Sequence, residues 1–480
     1  MLLFVAFFIV RPTGNTGMAM RDFEAFYSAG VVANRGGDPY GRAIWGAERD
    51  IPGIDTSHDE TLPFVGPSAG IPLWRAVARL PYDVAGRLWG AILALALLTI
   101  VFGSASLAGA PQRASVLLGI AVFSAAYGPL ISDVALGQVA LLAAAGIVGA
   151  LVLLRTRLVF AAGVSAAIGA LQPSLILPLI ARATDARALA AFAFGAVLFG
   201  TLTLANGGFA GVWSYLHLLS IHGASEAATV IQITPQGIAR GFGAPPAVLV
   251  ALRFGSAGLA IALTLLAARQ LRDPTLRTGI ASCALLFVIP FVHEHDFVLL
   301  VLPALCCAVR ARGTTLAFAS IVATAAGVDW LGLAQRPNGG LQTVVLSVAC
   351  ALGFALVAGL QRESWAGLCV PLAVVMVAIV ARTHPAPVWP DSLPLHWQPP
   401  LDASVSDVWA LEQQAGGLDA TDPVWSLLRS LTLFATALLG VATWLTGKQQ
   451  QRAPEDTRRN ERLGVRGLAR ELLPEGAGPP

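Results

Sequence analysis

The sequence predicts an all-α protein, a polytopic transmembrane bundle of about 11–13 membrane segments. Three observations predict it. Of the 480 residues, 56% are hydrophobic and only 12% are charged, against about a quarter charged in a soluble domain. The apolar runs are uniform rather than striped, as at 91–102, 139–154, 246–268 and 366–381, and runs of about 20 residues match a hydrocarbon core about 30 Å thick. The connections between them are short and carry arginine, as membrane-flanking loops do on the cytoplasmic side.

Taken in order, Met1–Val10 is apolar, ends at Arg11, and has no small-residue cleavage site after it. It reads as a short first membrane helix rather than a signal peptide. Residues 12–83 form a first polar loop, with an interfacial helix over 67–82 that sets Trp74, Arg75 and Arg79 beside apolar neighbours. Spanning candidates follow at 84–108, 114–132, 134–154, 158–181, 188–205, 246–268, 278–292, 296–309, 314–333, 342–361, 364–383 and 426–446, with longer polar stretches at 206–245 and 384–425. Residues 1–446 are thus one transmembrane domain, and the charged 447–480 is a disordered cytoplasmic tail. The tryptophans of 384–425 (Trp389, Trp397, Trp409 and Trp425) suit a membrane interface.

Orientation follows from arginine. Arg113, Arg155, Arg157, Arg269, Arg272, Arg277, Arg310, Arg312 and Arg362 sit in short connections, as do Arg182 and Arg187. All can lie on the cytoplasmic side only if 158–181 enters and leaves on that side. Gln172-Pro173 interrupts this run, and Pro breaks the helical hydrogen-bond ladder. Half-helices over 158–171 and 173–181 are therefore expected as a re-entrant or broken pair. Broken backbone at membrane depth is tolerated where it lines a cavity, which puts Gln172 beside one. A kinked full crossing is the alternative. With the hairpin, 12–83, 206–245, 384–425, Asp133 and the His293-Glu294-His295-Asp296 cluster share the extracytoplasmic side.

Three places carry candidate chemistry. Ionisable groups near or in membrane segments are costly and tend to be functional. The densest set is Pro290 to Phe297, with His293, Glu294 and His295; these imidazoles suit phosphate binding or proton transfer. A His-x-His metal site lacks a clear third ligand, and a plain polar turn is the other reading. The second is Arg21-Asp22-Phe23-Glu24 with Tyr27 and Tyr40, a carboxylate that can act as general base beside aromatics that can line a sugar or lipid groove. The third is Asp133 with Gly137 and Gln138, where Gly permits a sharp turn and the amide both donates and accepts; an ordinary helix start would look the same. Arg240, in the Gln232–Pro246 loop, could gate a cavity or simply connect helices.

The formal charge of +3 gives no reason to expect nucleic acid. No GxGxxG follows a strand and no Walker pattern is present, so no nucleotide cofactor is expected. The five cysteines lie in apolar runs without metal-ligand spacing.

In order and text these pieces resemble family 87 of the glycosyltransferases, in the GT-C superfamily, whose members look like polyprenyl-phosphate-mannose-dependent mannosyltransferases of bacterial envelopes. The matching residues are Asp22-Phe23 with Phe26-Tyr27, Gly37-Asp38-Pro39-Tyr40, and Leu62-Pro63-Phe64-Val65-Gly66-Pro67 with Pro72 and Pro81. Trp89, Leu136-Gly137-Gln138, Ala162-Gly163, Gly169-Ala170-Leu171-Gln172-Pro173, Trp213, and Pro290 with His293 and His295 follow. The resemblance runs over roughly 20–310 and rests on the order of individually short motifs. It implies a GT-C-type bundle and a membrane hexosyltransferase. Such an enzyme moves a sugar, mannose by this likeness, with inversion, from a polyprenyl-phosphate donor to a glycan or glycolipid acceptor. The reaction would face the extracytoplasmic side of a bacterial inner membrane, need no cofactor or metal, and have the lipid bilayer as a partner.

Asp22 is then the catalytic base. Arg21, Tyr27, Tyr40, Asp133, Gln138, Gln172, Arg240, His293, Glu294 and His295 are substrate-binding. The family usually has Lys where this chain has Gln172, and Tyr-Pro-Pro where it has Val65-Gly66-Pro67. A neutral Gln172 would attract a phosphate less than Lys. A transporter or flippase of lipid-linked sugars, or an inactive homologue, are the competing readings; a transporter needs no base in an outer loop and often shows internal repeats, and no clear repeat is present.

Overall fold

A computed structural model of the chain describes residues 20–53, 62–227, 229–335, 339–384 and 405–471. The expected first helix over Met1–Val10, and Trp389 and Trp397, lie outside them. Among the described residues every regular element is helical. Six helices are long and apolar enough to cross a membrane: Tyr82–Ala108, Ala186–Glu226, Pro246–Gln270, Gly339–Val357, Arg362–Thr383 and Pro423–Arg452. A seventh passage forms if Ala114–Ala126 and Gly128–Leu136, bent 58° apart, count as one. The protein is therefore an all-α polytopic membrane bundle. Its long spans are fewer than the apolar runs because several runs end early at turns. Val139–Arg155, Val159–Gly169, Pro173–Arg182 and Gly313–Ala326 are shorter apolar helices. Asp273 shows one such stop: its carboxylate caps the Thr275 and Leu276 amides, which starts a helix that ends at Leu285.

Close helix contacts use glycine, as expected where lipid supplies no hydrophobic drive between helices. A Cβ on Gly119 would lie 2.9 Å from the Gly353 carbonyl oxygen, so the Ala114–Ala126 and Gly339–Val357 helices pack backbone to backbone. A Cβ on Gly146 would meet the Ser165 carbonyl oxygen at 2.6 Å, which joins Val139–Arg155 to Val159–Gly169.

One end of the bundle collects arginine. Arg310 donates to the Ala108 and Leu107 carbonyls at 2.8 and 2.7 Å and pairs with Asp273 at 2.5 Å. Arg155 donates to the Ser106 carbonyl at 2.8 Å, and Arg277 to the Leu271 carbonyl at 2.7 Å and Thr184 at 3.5 Å. Arg155 and Thr184 flank the Val159–Arg182 passage, so the passage begins and ends at the same end of the bundle. The helix stops at Gly169 and a 3-10 helix starts at Pro173, with Gln172 at the break.

Two polar stretches differ from the sequence reading. The stretch from 206 is helical as far as Glu226, because two helices meet end to end at Gly208 (φ 56°, ψ −165°). Only residues beyond Glu226 form the irregular connection, which contains the short Pro235–Gly241 helix. The charged tail continues the last helix, which runs Pro423–Glu471; its Arg, Glu, Gln and Leu content favours helix despite its low hydropathy. Trp409 and Trp425 are buried inside the protein, with 8% and 1% exposure, rather than presented on its surface. Trp74 likewise stacks on Phe26, with centroids 4.8 Å apart, inside the packing of the segment that precedes the first long span.

Candidate active site

At the end opposite the arginines is a cavity of about 790 Å³. Seven of the residues singled out from sequence line it: Arg21, Asp22, Gln138, Gln172, His293, Glu294 and His295. Four do not. Tyr27 donates to the Leu80 carbonyl at 2.7 Å and Tyr40 to the Gly66 carbonyl at 2.9 Å, so both phenols fasten the segment that precedes the first long span. Asp133 is fully buried inside the Gly128–Leu136 helix, behind the cavity wall at Ser132. Arg240 reaches the Asp419 carbonyl at 3.4 Å.

The wall is assembled from distant parts of the chain. Asp22 is in the first turn of the Arg21–Asn34 helix. Its carboxylate accepts from Gln138 Nε2 at 2.5 Å. Gln138 can reach it because the preceding helix ends at Gly137, whose φ of 72° is left-handed backbone that favours glycine. The next helix starts at Val139, with Gln138 in the cap position. Burial pushes the Asp22 carboxyl up to about 6, against the opposing Gln138 hydrogen bond, Arg21 and His293. A base at this value is ionised at neutral pH and still basic enough to accept a proton from a hydroxyl in flight.

Facing it is the 3-10 turn Glu294–Leu300. A 3-10 helix has about three residues per turn, so consecutive side chains point about a third of a turn apart. His293 and His295 stack, with centroids 5.4 Å apart. Glu294 turns the other way, and accepts the Trp330 and Leu331 amides at 3.1 and 2.5 Å; it anchors the start of the short Trp330–Gln335 helix. Asp296 accepts the His293 amide at 2.9 Å and Gln172 Nε2 at 2.8 Å. Gln172 therefore ties the broken passage to the histidine turn.

The two imidazoles differ. Burial pulls the His293 ring down, but the Glu226 carboxylate at 3.2 Å, with Asp296 and Asp22 beyond, reverses this and leaves it above the ordinary histidine value. Burial, then the neighbouring His293 charge, hold His295 well below it. Charge and burial thus move the two rings in opposite directions. Burial also raises the Asp296 carboxyl to about 6.

Sequence reasoning missed Glu226, Trp409, Gln413 and Arg429, which also line the cavity. Glu226 and Arg429 carried a signal, since each is an ionisable residue within an apolar helix. Trp409 and Gln413, in the Val405–Ala415 helix, carried none. Among the described residues no group of three or more His, Cys, Asp or Glu is arranged to hold a metal ion.

A polytopic helical bundle enclosing a cavity lined by a carboxylate, two imidazoles and several amides is the frame of a membrane-embedded group-transfer enzyme. Residues 64–292, just under half of the chain, match the family model described as Glycosyltransferase family 87. Together with the membrane bundle, that match supports a membrane glycosyltransferase. No curated protein and no solved structure matches it.

Proposed function

We propose that the protein transfers a hexose, mannose by family likeness, from a polyprenyl-phosphate donor to a glycan or glycolipid acceptor. On this reading the reaction proceeds with inversion at the extracytoplasmic face of a bacterial inner membrane and uses no metal. The observation that carries the reading is that Asp22 and His293 face one cavity that also borders exposed apolar helices. A donor with a charged phosphate and a long hydrocarbon chain needs both surroundings at once.

The chemistry then divides among these residues. Asp22 takes the proton of the acceptor hydroxyl as its oxygen forms a bond to the anomeric carbon. The bond from that carbon to the phosphate oxygen breaks, and the electron pair leaves with polyprenyl phosphate. His293, with Arg21 nearby, meets the negative charge that develops on the phosphate, and fixed charges aimed at developing charge lower the barrier without reorganisation. Gln138 holds Asp22 in position. The orientation of the membrane follows from placing the arginine-rich end in the cytoplasm.

The test is purified protein with synthetic polyprenyl-phosphate mannose and a glycolipid acceptor. Transfer is expected, and Asp22→Asn should lose about 10²–10⁴-fold in rate, the usual contribution of a positioned base. Unchanged turnover in Asp22→Asn would remove the base assignment, and absence of transfer with every polyprenyl-phosphate hexose would remove the donor.

A further inference from the structure

Glu226 takes no part in the steps above, yet its carboxylate organises one wall of the cavity. It is the last residue of the Ala186–Glu226 helix and is 1% exposed. Oε1 accepts from Trp409 Nε1 at 2.7 Å and Gln413 Nε2 at 2.8 Å. Oε2 faces Gln232 Nε2 at 2.7 Å and His293 Nε2 at 3.2 Å. An indole N–H and an amide NH₂ can only donate. The amide of Gln232 is oriented by its other side, where Oε1 accepts the Val292 N–H at 2.6 Å. A proton on Glu226 would therefore find only His293 Nε2 as an acceptor, and the arrangement favours the anion with His293 donating to it.

We propose that Glu226 is the positioning residue of this site: it holds the His293 ring through Nε2–H and keeps it cationic at the cavity wall. The proposal rests on the reading of His293 as counter-charge to the departing phosphate. It gives the stacked pair a division of labour, one ring charged by a buried carboxylate and its neighbour left neutral.

The other titratable groups around His293 do not replace Glu226. Asp296 is engaged by the His293 backbone amide and by Gln172. Asp22 is engaged by Gln138. His295 stacks on the ring, and His222 lies 3.9 Å from the far oxygen of Glu226; as bases, neither favours a proton on His293. One competing arrangement exists. Gln232 Nε2 is also 3.2 Å from His293 Nε2, and would donate to that nitrogen if the ring were neutral.

The two arrangements give opposite results with diethylpyrocarbonate, which acylates neutral imidazole. The experiment follows His293 acylation by peptide mass spectrometry in the full chain in nanodiscs between about pH 5.5 and 9, with N-acetylhistidine in the same tube. Wild-type His293 should become reactive at higher pH than the free histidine. Glu226→Gln should move its midpoint down by about one unit, roughly a tenfold gain in rate near pH 7. Glu226→Asp, which disturbs the same packing and keeps the charge, should stay near the wild-type midpoint. A wild-type midpoint below that of free histidine, or an unmoved midpoint in Glu226→Gln, overturns the proposal and leaves Gln232 as the partner. The wild-type measurement stands if Glu226→Gln does not fold. Labelling needs no sugar transfer, so failure of the donor reading leaves this outcome readable. In a working transfer assay, the alkaline limb of Glu226→Gln should shift to lower pH in parallel.

Discussion

The two ends of the bundle use charge in opposite ways. At the arginine end, guanidinium groups are committed to the backbone. Arg310, Arg155 and Arg277 each cover a carbonyl at or near the end of a helix, where the orphaned carbonyls and the helix dipole both favour a cation. At the cavity end, Asp22, His293 and His295 face space that a substrate can enter; burial raises Asp22 and lowers His295, while the Glu226 carboxylate outweighs burial at His293. Charges spent on carbonyls tie helices together, whereas charges left facing a cavity remain available for chemistry.

The largest expected effect is at the cavity end. With the Asp22 carboxyl at about 6, the ionised base is lost as pH falls through that value. Transfer should therefore decline about tenfold per unit below pH 6, where an ordinary aspartate would hold the rate to about pH 4. The sign follows from burial, which disfavours the charged form and so raises the acid limb. A rate that stays flat from pH 7 to 4.5 in a stable preparation would mean that the essential base is not this carboxylate.

The comparison also separates what sequence can carry from what it cannot. The break at Gln172-Pro173 and the clustering of Arg155, Arg277 and Arg310 at one end are local features that the structure keeps, and the apolar runs are helical although fewer of them are long enough to span. The polar turn at His293–Asp296 and the sharp turn at Gly137 are kept as well. The ends of helices were less legible, since a stop such as the Asp273 cap depends on a single side chain. The partners of the site residues were not legible. Glu226 and His293 are 67 residues apart, and the other partners of Glu226, Trp409 and Gln413, arrive from the far end of the chain. Tyr27 and Tyr40 could be read as groove-lining aromatics because nothing in their neighbourhood announces that Leu80 and Gly66 will accept their hydroxyls. His293 and His295 look alike in sequence, and the contact of Glu226 with His293, far away in the chain, is the main reason the two rings shift in opposite directions.

A smaller effect, of a different kind, is expected at the arginine end. Arg310→Ala removes one ion pair and two carbonyl contacts in a partly buried site, which should cost about 2–4 kcal/mol. Thermal unfolding in detergent should fall by several degrees while the transfer rate per folded molecule and the donor KM stay as in wild type. A change in donor KM would show that the two ends are coupled and would blur the division drawn above.

The smallest effect is the most informative about the donor. Gln172 donates from Nε2 to Asp296 at 2.8 Å, while its Oε1 is buried without a hydrogen-bond partner. Lysine at this position would keep the contact with Asp296 and remove the unpartnered oxygen. It would also bring a positive charge to the cavity wall and favour the ionised form of Asp296. If the donor phosphate passes this wall, Gln172→Lys should lower the donor KM by about threefold to tenfold, since a partly solvated charge contact contributes of the order of 1 kcal/mol, with kcat within about twofold. Gln172→Ala, which frees Asp296 without adding charge, should leave KM unchanged or raise it. Equal KM values for Lys and Ala variants would place the phosphate away from the broken passage. In that case the break at Gln172-Pro173 serves to anchor the histidine turn and plays no part in binding the donor.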